Sequence, residues 1–132
     1  MKIVEVVAAA IIEDNKVFVC CRPEGKYLAG YYEFPGGKIE ANETHYEALK
    51  REIKEELNTL IDIKRLLMKI EYDYPEFHLI MHLYECSVLE GKLELMEHSD
   101  SQWIDIDELD KVKFVPADKE IIEKLPKIYL NR

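Results

Sequence analysis

The sequence predicts a mixed α/β domain with helices packed on a sheet. Strand-like, β-branched segments lie both before and after one strongly patterned helical segment. A second helical segment, ADKEIIEKL, closes the chain. No internal repeat, low-complexity stretch or linker interrupts it, so residues 1–132 read as one domain.

The elements follow in order. Residues 3–12 are β-branched and alanine-rich, EDNK (13–16) can turn the chain, and VFVCC (17–21) completes a hairpin. RPEGKYLAG (22–30) is a loop punctuated by Pro and Gly, and YYEF (31–34) is a short aromatic strand. PGGKIEAN (35–42) reads as a loop leading into a helix. Thr44 and Glu47 have capping-box spacing, so the helix begins near Thr44. Tyr46, Leu49, Ile53 and Leu57 form its apolar stripe and are expected to face the core. Residues 60–74 and 77–88 read as two longer strands joined around Tyr74-Pro75-Glu76. SQWIDI (101–106) is another strand, with Trp103 expected in the core. The closing helix spans 117–125, with Asp118 as its N-cap.

Composition narrows the function. Hydrophobic residues make up 48%, enough for a core, and 18 basic against 27 acidic residues leave a net charge of −9. No basic block is present, which argues against nucleic acid as a partner. No apolar run reaches membrane-spanning length, and Glu5 interrupts the one stretch resembling a signal peptide. Cys20, Cys21 and Cys86 show no C-x-x-C spacing, so neither a zinc site nor a disulfide framework is expected from them. A reducing cytoplasm is the simplest location. His78 and His82, four apart in HLIMH, read as packing or surface residues rather than a metal motif.

The helix itself raises a chemical question. Glu52, Glu55 and Glu56 stand at i, i+3 and i+4, with Cβ atoms roughly 5–6 Å apart. Such like charges repel unless a cation lies between them, and all-oxygen clusters suit Mg²⁺ or Mn²⁺. The cluster lies beside the apolar stripe, so the helix would anchor by one face and look into a cleft with the next. Arg51 falls between Glu47 and Glu55 on the i±4 row. From the helix alone, a solvated charged face is the ordinary alternative.

The longer spacing decides between them. Five residues separate Gly37 from Glu43, and seven separate Glu43 from Arg51. Glu52, Ile53, Lys54, Glu55 and Glu56 follow. This arrangement, G-x5-E-x7-R-E-U-x-E-E with U aliphatic, resembles the Nudix box. Asn58 and Thr59 depart from it, standing where glycine and an aliphatic residue are usual. Asn tolerates the left-handed conformation of a helix end, so the departure touches the helix stop and not the acidic cluster. EFPGGKIE is similar to the MutT-type branch of that family, the nucleoside triphosphate pyrophosphohydrolases.

The resemblance implies a Nudix fold, a mixed β-sheet sandwiched between helices (α/β/α), with the box helix near 44–57. It implies Mg²⁺-dependent hydrolysis of a nucleoside triphosphate to monophosphate and pyrophosphate, with Mn²⁺ as a second cation and 8-oxo-dGTP as the favoured substrate. Glu55, Glu56, Glu97 and the Gly37 carbonyl would hold metal. Glu52 is the first choice of base and a further ligand; Glu43 would orient Arg51 or share in that work. Arg22 would touch phosphates, Gly36 would let the backbone approach, and Lys38 would neutralise phosphate or be solvated. Phe34 would stack on a base or belong to the core, and Asp118 would meet the base edge. The implied protein is a monomer or homodimer. Other substrates, namely pyrimidine triphosphates, ADP-ribose or dinucleoside polyphosphates, and a non-catalytic nucleotide-binding role, are the alternatives.

Overall fold

A computed structural model describes residues 1–130 of the chain. Its centre is β1 (Lys2–Glu13), whose buried run Val7–Ile12 is apolar on both faces, as expected of a strand covered on both sides. Asp14 and Asn15, both at positive φ, turn it back into β2 (Lys16–Cys21), pairing Ile12 with Val17 and Glu13 with Lys16. The expected hairpin therefore forms.

The rest of the sheet grows from these strands. β3 (Tyr32–Glu33) pairs with β2. β4 (Gly36–Lys38) pairs with β1, setting Gly37 opposite Val7 and Gly36 opposite Ala8. The expected loop at 35–42 thus begins as a strand. Glycine has little strand propensity of its own, but β1 offers unpaired backbone there, and a Cβ on Gly36 would fall 2.0 Å from the Val7 carbonyl oxygen. β5 (Leu60–Asp73) and β6 (Phe77–Glu90) form the long antiparallel hairpin. β6 also runs parallel to β1 from Lys2/Phe77 to Ile11/Cys86. β7 (Asp100–Asp105) pairs with β2.

Helix α1 (His45–Leu57) starts as its local sequence dictates. Glu47 N donates to Thr44 Oγ1 at 3.1 Å, and Thr44 N donates to Glu47 Oε1 at 2.9 Å. It ends at Asn58, which takes the left-handed conformation at φ 48°. Leu49, Ile53 and Leu57 are fully buried, contributing about 1.5–3 kcal/mol each in burial. Tyr46 departs from the stripe: it is 48% exposed and stands edge-on to Tyr84 at 5.5 Å. It is the second residue of α1, so it lies against the Tyr84 ring rather than inside the core.

Two cores result, one on each face of the sheet. Val7, Ala9, Ile11, Tyr84 and Cys86 pack with α1. Ala8, Ala10, Ile12, Ile70 and Leu83 pack with Ile121 and Leu125 of α2 (Lys119–Leu130). The helix-sheet-helix sandwich is therefore present. α2 begins later than expected because Pro116–Asp118 winds as a 3-10 turn. Trp103 is also corrected: it is 36% exposed on β7, packed edge-on against Phe18 at 5.3 Å. Among the described residues, no helix is long and apolar enough to cross a membrane.

Candidate active site

A cleft of about 470 Å³ opens where β4, α1, β3 and the turn before α2 meet. Arg22, Phe34, Gly36, Gly37, Lys38, Glu52, Glu56, Glu97 and Asp118 all line it. Glu43, Arg51 and Glu55 do not, although Arg51 and Glu43 support its wall.

That support is specific. Arg51 Nε and Nη2 donate to the two Glu43 oxygens at 2.7 and 2.9 Å, a bidentate pair. Nη2 also donates to the Lys38 carbonyl at 3.0 Å, and Nη1 to Glu52 Oε1 at 2.8 Å. Hydrogen bonding to Arg51 pushes the Glu43 carboxyl down to about 2. Glu55 is 3.5 Å from the same guanidinium and 56% exposed at its side chain. Glu47, the other i±4 neighbour, is occupied in the capping box.

Glu52 and Glu56 face inward. The Glu52 carboxyl fills the space beside Gly37, where a Cβ would fall 2.0 Å from its Oε2. Burial raises its proton affinity against the opposing pull of Arg51. Glu56 is buried, and its pKa is pushed up to about 9 by burial first and then by Glu52, Glu33 and Glu97. The Gly36 N–H opposes that shift.

Glu97 reaches this cluster because its loop is tied to the end of α1. Met96 N donates to the Glu56 carbonyl and Glu94 N to the Leu57 carbonyl, each at 2.9 Å. The two residues that depart from the box pattern strengthen the tie. Thr59 Oγ1 accepts from Leu93 N at 2.9 Å, and Asn58 Nδ2 donates to Glu94 Oε1 at 3.2 Å.

A carboxylate cluster this crowded fits a hard divalent ion, since every side-chain donor is oxygen. Among the described residues, however, the groups of three donors within 4.8 Å of one another are Glu5–His45–His82 and Asp105–Asp107–Glu108. The α1 glutamates are not drawn that close.

The other part of the cleft has a different chemistry. Asp118 is 2% exposed, and its Oδ2 has no partner. Its carboxyl faces the Phe34 N–H and is not an N-cap; burial, then the Glu33 charge, raises its pKa well above the ordinary range. Phe34 is both core and cleft wall, stacked on Phe114 at 5.6 Å. Tyr74 lies beside it, its hydroxyl accepting from Ala117 N at 3.2 Å.

Glu33 links the two parts. It accepts from Arg22 Nη1 at 2.9 Å and pairs with His98 Nε2 at 2.9 Å. Arg22 also donates to the Tyr27 carbonyl at 2.6 Å, so its guanidinium is already oriented. Sequence reasoning singled out neither Glu33 nor Tyr74 for the site. The available signal for Glu33 was a carboxylate in an aromatic strand beside Phe34.

A model of the NUDIX domain family matches residues 7–124. The chain is 32% identical over 124 residues to an 8-oxo-dGTP diphosphatase of Escherichia coli, covering 92% of this chain and 96% of that protein. It is also 32% identical over 123 residues to a CTP pyrophosphohydrolase of the same organism, covering 93% and 91%. A solution structure of the DNA mismatch repair protein MutT from methicillin-resistant Staphylococcus aureus superposes with a TM-score of 0.78 at 36% identity, covering 97% of this chain and 99% of that one.

Proposed function

The chain belongs to the NUDIX domain family and is a Nudix hydrolase, and from that premise we propose that it is a Mg²⁺-dependent nucleoside triphosphate pyrophosphohydrolase. The observation that carries this reading is the two-part cleft, with carboxylates Glu52, Glu56 and Glu97 in one part and the buried Asp118, its Oδ2 unpartnered, with Phe34 in the other. A polyphosphate tail suits the first part and a base the second.

Glu52, Glu55, Glu56, Glu97 and the Gly37 carbonyl would hold the metal, with Mn²⁺ as a substitute for Mg²⁺. Bound there, the ion would neutralise phosphate charge and lower the pKa of the attacking water. The chain's own residues do the rest. Glu52 takes the proton from that water: Arg51 holds its Oε1, while Oε2 stays on the Gly37 side. Its raised pKa favours this task over that of a fully solvated glutamate. Glu43 fixes the plane of Arg51 and through it the Glu52 rotamer. Arg22 meets phosphate oxygens with its planar fork, and Lys38 adds a mobile charge at the rim.

A protonated Asp118 offers an O–H donor that an ionised one lacks, which suits a purine carbonyl. The 8-oxo-dGTP diphosphatase relative supports an oxidised purine, 8-oxo-dGTP, as the favoured substrate and nucleotide-pool sanitising as the role. The equal identity to a CTP pyrophosphohydrolase keeps pyrimidine triphosphates as the second reading. A panel of normal and oxidised nucleotides with Mg²⁺ tests both. The expected products are a monophosphate and pyrophosphate, fastest with 8-oxo-dGTP. Release of orthophosphate and a diphosphate would overturn the cleavage position.

A further inference from the structure

Three side chains outside the cleft converge without a role in the reaction above. Glu5 of β1, His82 of β6 and His45, the first residue of α1, each bring one potential ligand atom within 4.8 Å of the other two. Strand register places them. β1 and β6 run parallel, with Glu5 opposite Ile80 and Val7 opposite His82. By the two-residue alternation, Glu5 and His82 share the face of Val7 and Tyr84, which packs on α1. Val4, Val6, Leu79 and Met81 wall the cleft from the opposite face.

Each of the three donors is also held in place by its neighbours. His82 is buried, and its Nε2 lies 2.7 Å from Glu5 Oε2. The His45 and His82 rings face each other with centroids 4.2 Å apart and planes 40° apart. His45 Nδ1 lies 2.9 Å from the Tyr84 hydroxyl, which leaves Nε2 available and fixes the ring. Glu5 is exposed, so the group is open to solvent on that side.

We propose that Glu5, His45 and His82 form a zinc site separate from the hydrolytic centre. Two imidazoles and one carboxylate are a zinc donor set, whereas Mg²⁺ and Mn²⁺ prefer oxygen. The site is built on imidazole rather than thiolate, which is why cysteine spacing gives no hint of it. All three donors stand on regular elements, with water to complete the coordination. Zinc bound here ties the start of α1 to both central strands, and α1 is the helix that carries Glu52 and Glu56.

The test uses the full chain and Zn²⁺ alone, titrated calorimetrically into a Glu52→Gln/Glu56→Gln variant that silences the oxygen cluster. One equivalent is expected to bind, and His45→Gln or His82→Gln on that background is expected to weaken binding by about 100-fold. Zn²⁺ should raise the melting temperature of the Glu52→Gln/Glu56→Gln variant but not once His45→Gln is added to it, while His45→Gln alone leaves Mg²⁺-dependent turnover unchanged. No zinc binding to the double variant, or equal affinity after both histidine substitutions, overturns the proposal. Because the readouts are affinity and melting, its failure is distinct from failure of the proposed hydrolysis.

Discussion

Arg51 grips Glu43 through two bonds of 2.7 and 2.9 Å across the seven residues between them. The pair closes the segment that begins at β4 onto the middle of α1. One nitrogen of the same guanidinium remains for Glu52, so the pair sets the position of a carboxylate that it does not itself contain.

Arg51→Lys therefore removes the fork while keeping the charge. Turnover is expected to fall about 100-fold, as for a small misplacement of a reacting group, with far-ultraviolet dichroism unchanged. Equal turnover in the two proteins would remove Arg51 from the positioning role.

Glu43 adds a pH signature. Its folded pKa is depressed, so its contribution to stability is present above the ordinary value of 4.5 and is lost as pH falls towards about 2. Glu43→Gln should flatten the acid limb of the stability curve in that window. Chemical denaturation at closely spaced pH values measures it.

Glu55 is the sharpest test of metal binding, because it is mostly exposed and holds no core contact. Glu55→Gln should change stability by no more than about 0.5 kcal/mol. Turnover with Mg²⁺ should nevertheless drop by about 100-fold or more, the scale of losing one electrostatic partner in an active site. Full activity in the variant would take Glu55 out of the ligand set.

Adjacent glycines should fail differently. Alanine at Gly36 meets the Val7 backbone oxygen at 2.0 Å, which cannot step aside, so Gly36→Ala should cost about 1–3 kcal/mol of stability. Alanine at Gly37 meets only the end of the Glu52 side chain, also at 2.0 Å. Gly37→Ala should stay folded and lose turnover. Thermal melts beside steady-state rates separate the two.

Asp118 has the opposite sign of linkage from Glu43. Its folded pKa is raised, so stability is greatest below the ordinary 3.8 and declines as pH rises toward the folded value. Asp118→Asn should be more stable than the parent at neutral pH, with the difference closing in acid. Asp118→Ala should shift the ratio of kcat/KM between purine and pyrimidine triphosphates more than it shifts the Mg²⁺ requirement. Equal loss across all bases would reduce Asp118 to a structural role.

What the sequence disclosed follows the range of each interaction. The α1 cap and stop rest on residues three or four apart, so Thr44, Glu47 and Asn58 were readable directly. Tyr46 and Trp103 were misjudged because apolarity at a helical or strand period does not say where an element ends against its neighbour. β4 was hidden because its strand character comes from β1, not from Gly36-Gly37-Lys38. Asp118 looked like a cap because only the packed structure turns its carboxyl toward the Phe34 N–H. Glu33 was overlooked for a related reason: its partners Arg22 and His98 arrive through the pairing of β3 with β2 and through a loop 65 residues away. The parallel match of β1 with β6, on which Glu5 and His82 depend, joins segments from opposite halves of the chain.

The tie between the last turn of α1 and the loop before Glu97 has a dynamic consequence. Leu93, Glu94 and Met96 spend their amide protons on Thr59, Leu57 and Glu56, so helix end and loop must open as one cooperative unit. Fraying at Asn58 would withdraw an acidic side chain from the opposite wall in the same event. Amide exchange at Glu94 and Met96 should therefore proceed at one shared rate, set by that common opening.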